Sequence, residues 1–559
     1  MALTPTTKHG AAGMKPIILP LLASLLLASL PAAAQEAPRQ VHYRKNIDDL
    51  TPAELDAFKH AVDQLKQKSQ RNIFDRSGFL WQAWVHNCPA VQVPNSRKSP
   101  MSAEALAGWL SNPERNSCDT FAMVKGTMRA GDAHQELPGE CEHQKDTFLQ
   151  WHRAQLYYYE QALRAADPEG LHGPKTADVT LPYWNFTHKP SGVRFPKAFE
   201  DPTSPLFDRT RNTALLDSSM ATASPYLLAY QIYYMDWPEF GGDQYGSNGG
   251  GALETRIHNH MHAFYIGGNM GDNVSAGLDP LFYVFHNFLD YSFEEWITQH
   301  GTDGITGNGR LNVMRSEQDA NLPKPVGWAA GDNPKRSDSG DYTQHMGVAN
   351  LYFDTRKQGY AYQPGDGGEF APKSELQTLI DAHQGAGFVF GANDKSLFAA
   401  LLSDQAADGT VGKPHRILKG NYTIPDQPIV KPARRYVRLL RNPGNKDYSF
   451  QVDVYLQPAD VPASIEQKSF RDKYLVTTTS HWALSSHPPV GSSCIGVDVT
   501  GIINSLVPRN DQTGNSDRQW RLTAAVTSND GKRHPVLPGD FTDLKVADAP
   551  CPRPPNPHH

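Results

Sequence analysis

Two histidine clusters lie in the first half of the chain. One runs Cys141-Glu142-His143 and then Phe148-Leu149-Gln150-Trp151-His152-Arg153. The other runs His258-Asn259-His260-Met261-His262 and, further on, Asp279-Pro280-Leu281-Phe282-Tyr283-Val284-Phe285-His286. Imidazole donors without a full set of thiolates or carboxylates suit copper, zinc, iron and nickel. His258 and His262 are four residues apart, which on a helix puts both rings on one face at chelating distance. Their third ligand must come from elsewhere. His286 lies in a helical stretch, and Asp290, one turn on, can orient a ligand helix or ring. In the first cluster His143 reads as loop and His152 as helix; His86 is the natural third donor and His134 the alternative. Any one such histidine is more often a hydrogen-bonded core or surface residue. Six in this arrangement point to two adjacent metals and to chemistry on a small molecule between them.

The elements that must position these residues follow from pattern. Thr51-Pro52-Ala53-Glu54 supplies an N-cap, a first-turn proline and a capping-box carboxylate for a helix within 41–75. Phe79 to Val85 is an apolar stretch that delivers His86, Phe148 to Arg164 is helical, and Phe282 to Thr298 is a long helix. Residues 96–133 read as a polar insertion with one short helix near Ala103–Leu110, and residues 185–250 as mostly irregular. Residues 363–373, rich in Gly and Pro, are the best linker. Beyond them come helical pieces at Ser374–His383 and Lys395–Ser403, then alternating strands at Tyr436–Leu440, Tyr448–Leu456, Tyr474–Thr479 and Trp520–Val526. The fold expected is therefore mainly α with a C-terminal mainly β domain: 1–34 a signal peptide, 35–362 the catalytic domain, 363–373 the linker and 374–559 the C-terminal domain.

The chain has 559 residues, enough for two or more domains, and a net charge of -6 with no basic block, which argues against a nucleic-acid partner. Lys15 precedes an apolar run from Ile17 to Leu30 that ends in Ala32-Ala33-Ala34, the pattern of a cleaved export signal, with Met14 as an alternative start. The mature chain is expected to begin near Gln35, secreted or periplasmic, with no membrane association after cleavage. Of five cysteines, Cys88, Cys118, Cys494 and Cys551 allow two disulfides if Cys141 is used otherwise. Cys88–Cys118 and Cys494–Cys551 are the local pairings among three connectivities.

Here the residues resemble a known family. Phe-Leu-x-Trp-His-Arg at 148–153, with a histidine nine before His152, resembles the copper A motif of type 3 copper proteins of the tyrosinase family. His-Asn-x-x-His at 258–262, followed by Asp-Pro-x-Phe and His286, resembles copper B. Arg44-Lys45-Asn46 resembles the start of the family core and Gly359-Tyr360-Ala361-Tyr362 the tyrosine motif that closes it. The resemblance implies a four-helix-bundle dicopper core with long irregular loops. It also implies copper A at His86, His143 and His152, and copper B at His258, His262 and His286. Many members carry two histidines at the last ligand, whereas here Phe285 precedes His286. A cysteine near the place of Cys141 is joined in several members to a ligand imidazole by a thioether, and the same is expected here.

The implied cofactor is a pair of copper ions, with O2 and phenolic small molecules as partners and homo-oligomerisation left open. The implied reaction is oxidation of o-diphenols to o-quinones and o-hydroxylation of monophenols. Hydroxylation needs the phenol as phenolate, so a base must take its proton. Glu254 and Asn259 resemble the pair that holds a water for this step; Glu254 could instead cap the helix of His258. Phe282 is expected to pack on the ligand rings, Arg153 and Asp290 to support them, and the small Ala263 to leave the pocket mouth open. A catechol or o-aminophenol oxidase shares all six ligands, and a haemocyanin-like oxygen carrier shares the site without turnover. The C-terminal domain is read as a lid over the copper site that keeps a zymogen latent, with Phe388 or Phe390 filling the substrate position.

Overall fold

The computed structural model describes residues 40–86, 141–187, 195–212, 225–242, 250–314, 343–348, 354–384, 416–441, 449–481, 493–503, 519–528 and 540–548, with short interruptions inside these stretches. The export signal, the 96–133 insertion, Cys88, Cys118, His134, Phe388, Phe390, the 395–403 helix and Cys551 lie outside them; Cys494 is disulfide-bonded. From Val41 onward the chain is one compact unit. No helix among the described residues is long and apolar enough to cross a membrane.

The first half is helical. Helix α1 (Pro52–Arg71) starts on the capping box that the sequence predicts: Glu54 N–H donates to Thr51 Oγ1 (3.3 Å) and Thr51 N–H to Glu54 Oε2 (2.8 Å). It buries Phe58, Ala61, Val62 and Leu65, one face at helical spacing. Helices α2 (Phe79–His86), α3 (Phe148–Arg164), α4 (Pro225–Tyr234) and α5 (Leu281–His300) follow. Helix α3 is buried on nearly every side, from Phe148 to Leu163, and α5 from Leu281 to Phe293, so these two form the centre of the core. Strand β1 (His42–Arg44) pairs in parallel with Tyr360–Tyr362, closing the start of the helical half onto its end.

A buried charge network locks α3 to α5. Arg153 on α3 donates to Asp290 on α5 and lies 3.0 Å from Glu294. Tyr360 donates to the other oxygen of Asp290 (3.0 Å), and Arg44 donates to Glu160 on α3 (2.7 Å) and Asn287 on α5 (2.8 Å). The Arg44 guanidinium lies 3.6 Å over the Tyr360 ring. The tyrosine motif thus ends on the carboxylate that joins the two helices bearing His152 and His286. Asp290→Ala leaves two buried guanidinium groups short of a partner, Arg153 and also Arg44, which lies 3.6 Å from Asp290. It should lower stability by about 3–5 kcal/mol, checked by denaturant unfolding.

The second half is a two-layer β structure. Numbering all strands in chain order, β2 (Arg310–Met314) and β3 (Thr343–Val348) pair antiparallel, and Tyr360–Tyr362 is β4. One sheet has the order β5 (Arg416–Thr423), β10 (Gln519–Ser528), β7 (Phe450–Pro458), β8 (Leu475–His481). The other has the order β11 (Phe541–Ala547), β6 (Tyr436–Arg441), β9 (Ser493–Asp498). Val437, Leu439, Val452, Val454, Leu522, Ala524 and Phe541 share the core between them. Leu227 of α4 joins Tyr455, Phe470 and Leu475 in a further apolar cluster, so the β half is packed onto the helical half.

The segment expected as a linker is not free. Glu369 accepts from the Tyr183 hydroxyl (2.8 Å) and binds the Asn185 amide, and Phe370 stacks on Phe288 (5.7 Å between ring centres). Gly368, at φ +83° and with its N–H on Gly365 O (3.0 Å), turns the chain so that this carboxylate reaches the core. Helix α6 (Lys373–Gln384) then packs Leu376 against Ala229 of α4.

Candidate metal centre

Each ligand comes from a helical element or the loop before one. His86 ends α2, His143 precedes α3, His152 sits one turn into it, and His286 lies in the second turn of α5. His258 and His262 do not share an α-helix as expected. They lie on two π-helical turns, Leu253–His258 and Met261–Ile266, in which Asn259 N–H bonds back to Glu254 O. Such wide turns occur mostly at functional sites, and the two rings still stand 4.5 Å apart. At Gly277 a Cβ would come within 2.7 Å of the Ala83 carbonyl, so glycine lets the turn before α5 press on α2 just ahead of His86.

The six rings form two sets. Ligand atoms of His86, His143 and His152 lie within 4.8 Å of one another, as do those of His258, His262 and His286. The sets face each other: His152 stacks on His286 at 4.4 Å and 12°, and His143 is 5.3 Å from His258. All six are at most 5 % exposed. Outer hydrogen bonds fix most of the ring orientations. Nδ1 bonds to Asn273 O in His86, Phe148 O in His152, Met270 O in His262 and Asn259 Oδ1 in His258, at 2.8–2.9 Å. A ligand imidazole held this way presents Nε2 to a metal. His262 Nε2 and His286 Nε2 are 3.1 Å apart, as two nitrogens chelating one ion at about 2 Å each would be. His152 Nε2 is buried with no hydrogen-bond partner. Burial pushes all six imidazoles well below their ordinary range, His152 to about 3, so each is a neutral donor at pH 7. Six neutral nitrogens in two adjacent sets of three fit two copper ions.

Phe282 lies 4.1 Å from His286 and 4.6 Å from His86, and Phe148 4.5 Å from His152 and 4.8 Å from His258. These two phenyl rings wall the site with apolar surface. Ala263, expected to leave the pocket mouth open, is buried at 6 % exposure. Cys141 is buried, with Sγ 2.7 Å from His143 Nδ1. Glu254 is buried too; its Oε1 accepts from Gln144 N–H (2.7 Å), its Oε2 has no partner, and burial raises its carboxyl to about 8.

Sequence reasoning missed three contributors from outside the motifs. Ser480 O accepts from Asn259 Nδ2 (2.7 Å), His481 Nδ1 meets Gln144 Nε2 (3.0 Å), and Gln451 Oε1 meets His260 Nδ1 (3.0 Å). Ser480 and His481 end strand β8, so the β half reaches the copper-binding segments. No local signal marks these residues, because a backbone carbonyl and the end of a strand carry the contact.

The fold and the paired three-histidine sets define a type 3 copper protein. A family model described as "Common central domain of tyrosinase" matches residues 115–225 and 196–299. Tyrosinase HcTyr1 of Hahella sp. (strain CCB-MM4) is 26% identical over 310 residues, 52% of this chain and 60% of that protein. A chloroplastic polyphenol oxidase of Spinacia oleracea is 29% identical over 259 residues, 39% of this chain and 36% of that one. The chain therefore spans less than two thirds of the length of these relatives. Latent apple tyrosinase (MdPPO1) shares the fold, with a TM-score of 0.52 at 16% identity, covering 91% of this chain and 98% of that one. Residues 115–299 thus carry the central domain of the tyrosinase family, and the chain is similar to tyrosinases and polyphenol oxidases.

Proposed function

We propose that this chain oxidises phenols with O2, hydroxylating monophenols at the ortho position and converting o-diphenols to o-quinones. The observation that carries this reading is the facing pair of three-histidine sets with the Glu254 carboxyl at the start of the π-turn that bears His258. When bound, two copper ions supply the two electrons that O2 takes up and a Lewis-acidic seat for the substrate oxygen. The chain supplies the rest. Phe148 and Phe282 exclude water and offer an apolar face to an aromatic ring. Glu254 Oε1 is held by Gln144, which leaves Oε2 to take the phenol proton directly or through one water. As a protonated acid near neutrality Glu254 is a poor base, and two adjacent dications favour its ionised form.

Oxygen uptake by the copper-loaded chain on L-tyrosine and on DOPA tests this. Glu254→Gln should lower tyrosine hydroxylation by roughly 100-fold or more while DOPA oxidation falls far less. Equal losses count against the role of Glu254, and no uptake on either substrate, with the β half present or removed, removes the oxidase reading.

The Cys141 sulfur stands as close to His143 Nδ1 as two substituents of one carbon do. This supports a thioether from Sγ to the ring Cε1. The S–C bond would replace one S–H and one C–H, with O2 as the oxidant taking up the two electrons and two protons as H2O2; copper held by the six histidines would supply the redox path. Protein matured with copper should be lighter by two hydrogen atoms than copper-free protein and resist alkylation at Cys141. An alkylatable thiol in the matured protein removes the bond.

The C-terminal β half serves as a lid over this site. The near-complete burial of all six ligands and the β8 contacts support this. Because 363–372 is packed against the core, the useful cut lies between Gln384 and Arg416. Cutting there and removing the β half should raise activity on DOPA; unchanged activity ends the lid reading.

A further inference from the structure

We infer that strand β8 does more than cover the centre: through Gln144 and Asn259 it sets the spacing between the two histidine sets. The inference rests on the reading of those sets as copper ligands. Gln144 directly follows His143 of one set, and Asn259 directly follows His258 of the other. The consecutive residues Ser480 and His481 grip these two positions. Asn259 spans the gap: Oδ1 accepts from His258 Nδ1 (2.8 Å) and Nδ2 donates to Ser480 O (2.7 Å). Gln144 spans it on the other side, with Nε2 at His481 Nδ1 (3.0 Å) and N–H on Glu254 Oε1 (2.7 Å), one turn before His258.

Gln144 sits at φ +56°, a left-handed conformation that costs a non-glycine residue energy and persists only where the surroundings hold it. The structure shows what holds it: a carboxylate at its backbone and a β8 side chain at its amide. The gripping strand is itself stiff. Ser480 pairs with Gln451 and His481 with Phe450 in the ladder, and the His481 ring stacks on Phe450 at 4.8 Å. The β half is also fixed independently, where Leu227 enters its cluster with Tyr455, Phe470 and Leu475. Grip and cover are therefore separable: altering Gln144 or His481 leaves the apolar seat intact. Gln144 and His481 are positioning residues that order the ligand segments before any metal arrives, which lowers the ordering cost of metal binding.

The test uses the full chain with Gln144→Ala, His481→Ala, the double variant, and His481→Gln, which keeps an acceptor. Two readouts are taken: copper remaining after exposure to a chelator, by elemental analysis, and amide exchange at 143–147 and 253–262 in the copper-free chain. Each alanine variant should lose copper about fivefold faster, the worth of one hydrogen bond, and exchange faster at these amides. The double variant should be no worse than either single one, and His481→Gln should restore the parent. Parent-like copper retention and exchange in the alanine variants overturns the inference, as does additivity in the double. If the parent holds no copper, the metal reading fails, and the exchange data alone then decide the grip: faster exchange upholds it and parent-like exchange ends it.

Discussion

Replacing His286 with alanine will cost the chain one of its two copper ions and abolish measurable oxidation of catechol. The ring stacks on His152 of the opposite set, and its Nε2 lies 3.1 Å from that of His262, so it belongs to the wall between the two metals. Phe285 precedes it, and that ring packs on Phe186 (5.4 Å), so no neighbouring imidazole can substitute. The loss should exceed the about 10–100-fold that follows removal of a residue merely supporting a metal ligand, because electron supply from two adjacent ions fails when one is gone. His260→Ala is the control. His260 lies in the same short run of sequence, but its ring stacks on Phe264 and bonds to Gln451. Copper content by elemental analysis should fall by one ion for His286→Ala and stay at two for His260→Ala. The opposite pattern would show that the ligands have been misassigned.

The contrast between His260 and His286 shows what a sequence can carry. The two histidine sets are legible because metal sites demand a residue type at a spacing, and the helices bearing His152 and His286 because burial leaves a run of apolar and aromatic residues. Three things were not legible. The shift from α to π turns at His258 moves hydrogen bonds by one residue and leaves no mark in composition. The left-handed Gln144 is not a glycine, so nothing flags it. The β8 contacts join residues 221 and 337 positions apart through a carbonyl oxygen and a strand end. At 363–373 the Gly- and Pro-rich composition carries no sign that Glu369 docks on Tyr183 and Asn185. Strands β5, β9 and β11 were overlooked; β11 carries a register shift between Thr542 and Lys545 that breaks its alternation.

The copper-free chain should be sharply acid-labile, with a steep fall in stability beginning just below pH 6.5. Burial holds all six ligand imidazoles below their ordinary value, and neighbouring rings add to the effect for five of them. Above pH 6.5 the rings are neutral both folded and unfolded, so they give no pH dependence. Below it the unfolded chain binds protons that the folded chain refuses, and unfolding gains about 1.4 kcal/mol per pH unit for each ring. Six rings together approach about 8 kcal/mol per unit, comparable to the whole stability of about 5–15 kcal/mol typical of a folded protein. Glu254 works the other way. Its folded carboxyl titrates near 8 against 4.5 when exposed, so acidification across that window favours the folded state. That is one group against six, and the imidazoles win. Denaturant midpoints of the copper-free chain at pH 7, 6 and 5 should therefore drop steeply, and Glu254→Gln should steepen the drop slightly. With copper bound, the metal competes with protons for the same nitrogens, which moves the fall to lower pH. A flat midpoint from pH 7 to 5 would mean that the folded chain protonates these rings freely. Rings that protonate freely are solvated, and a solvated centre could not be the dry, closed one that the six buried histidines form.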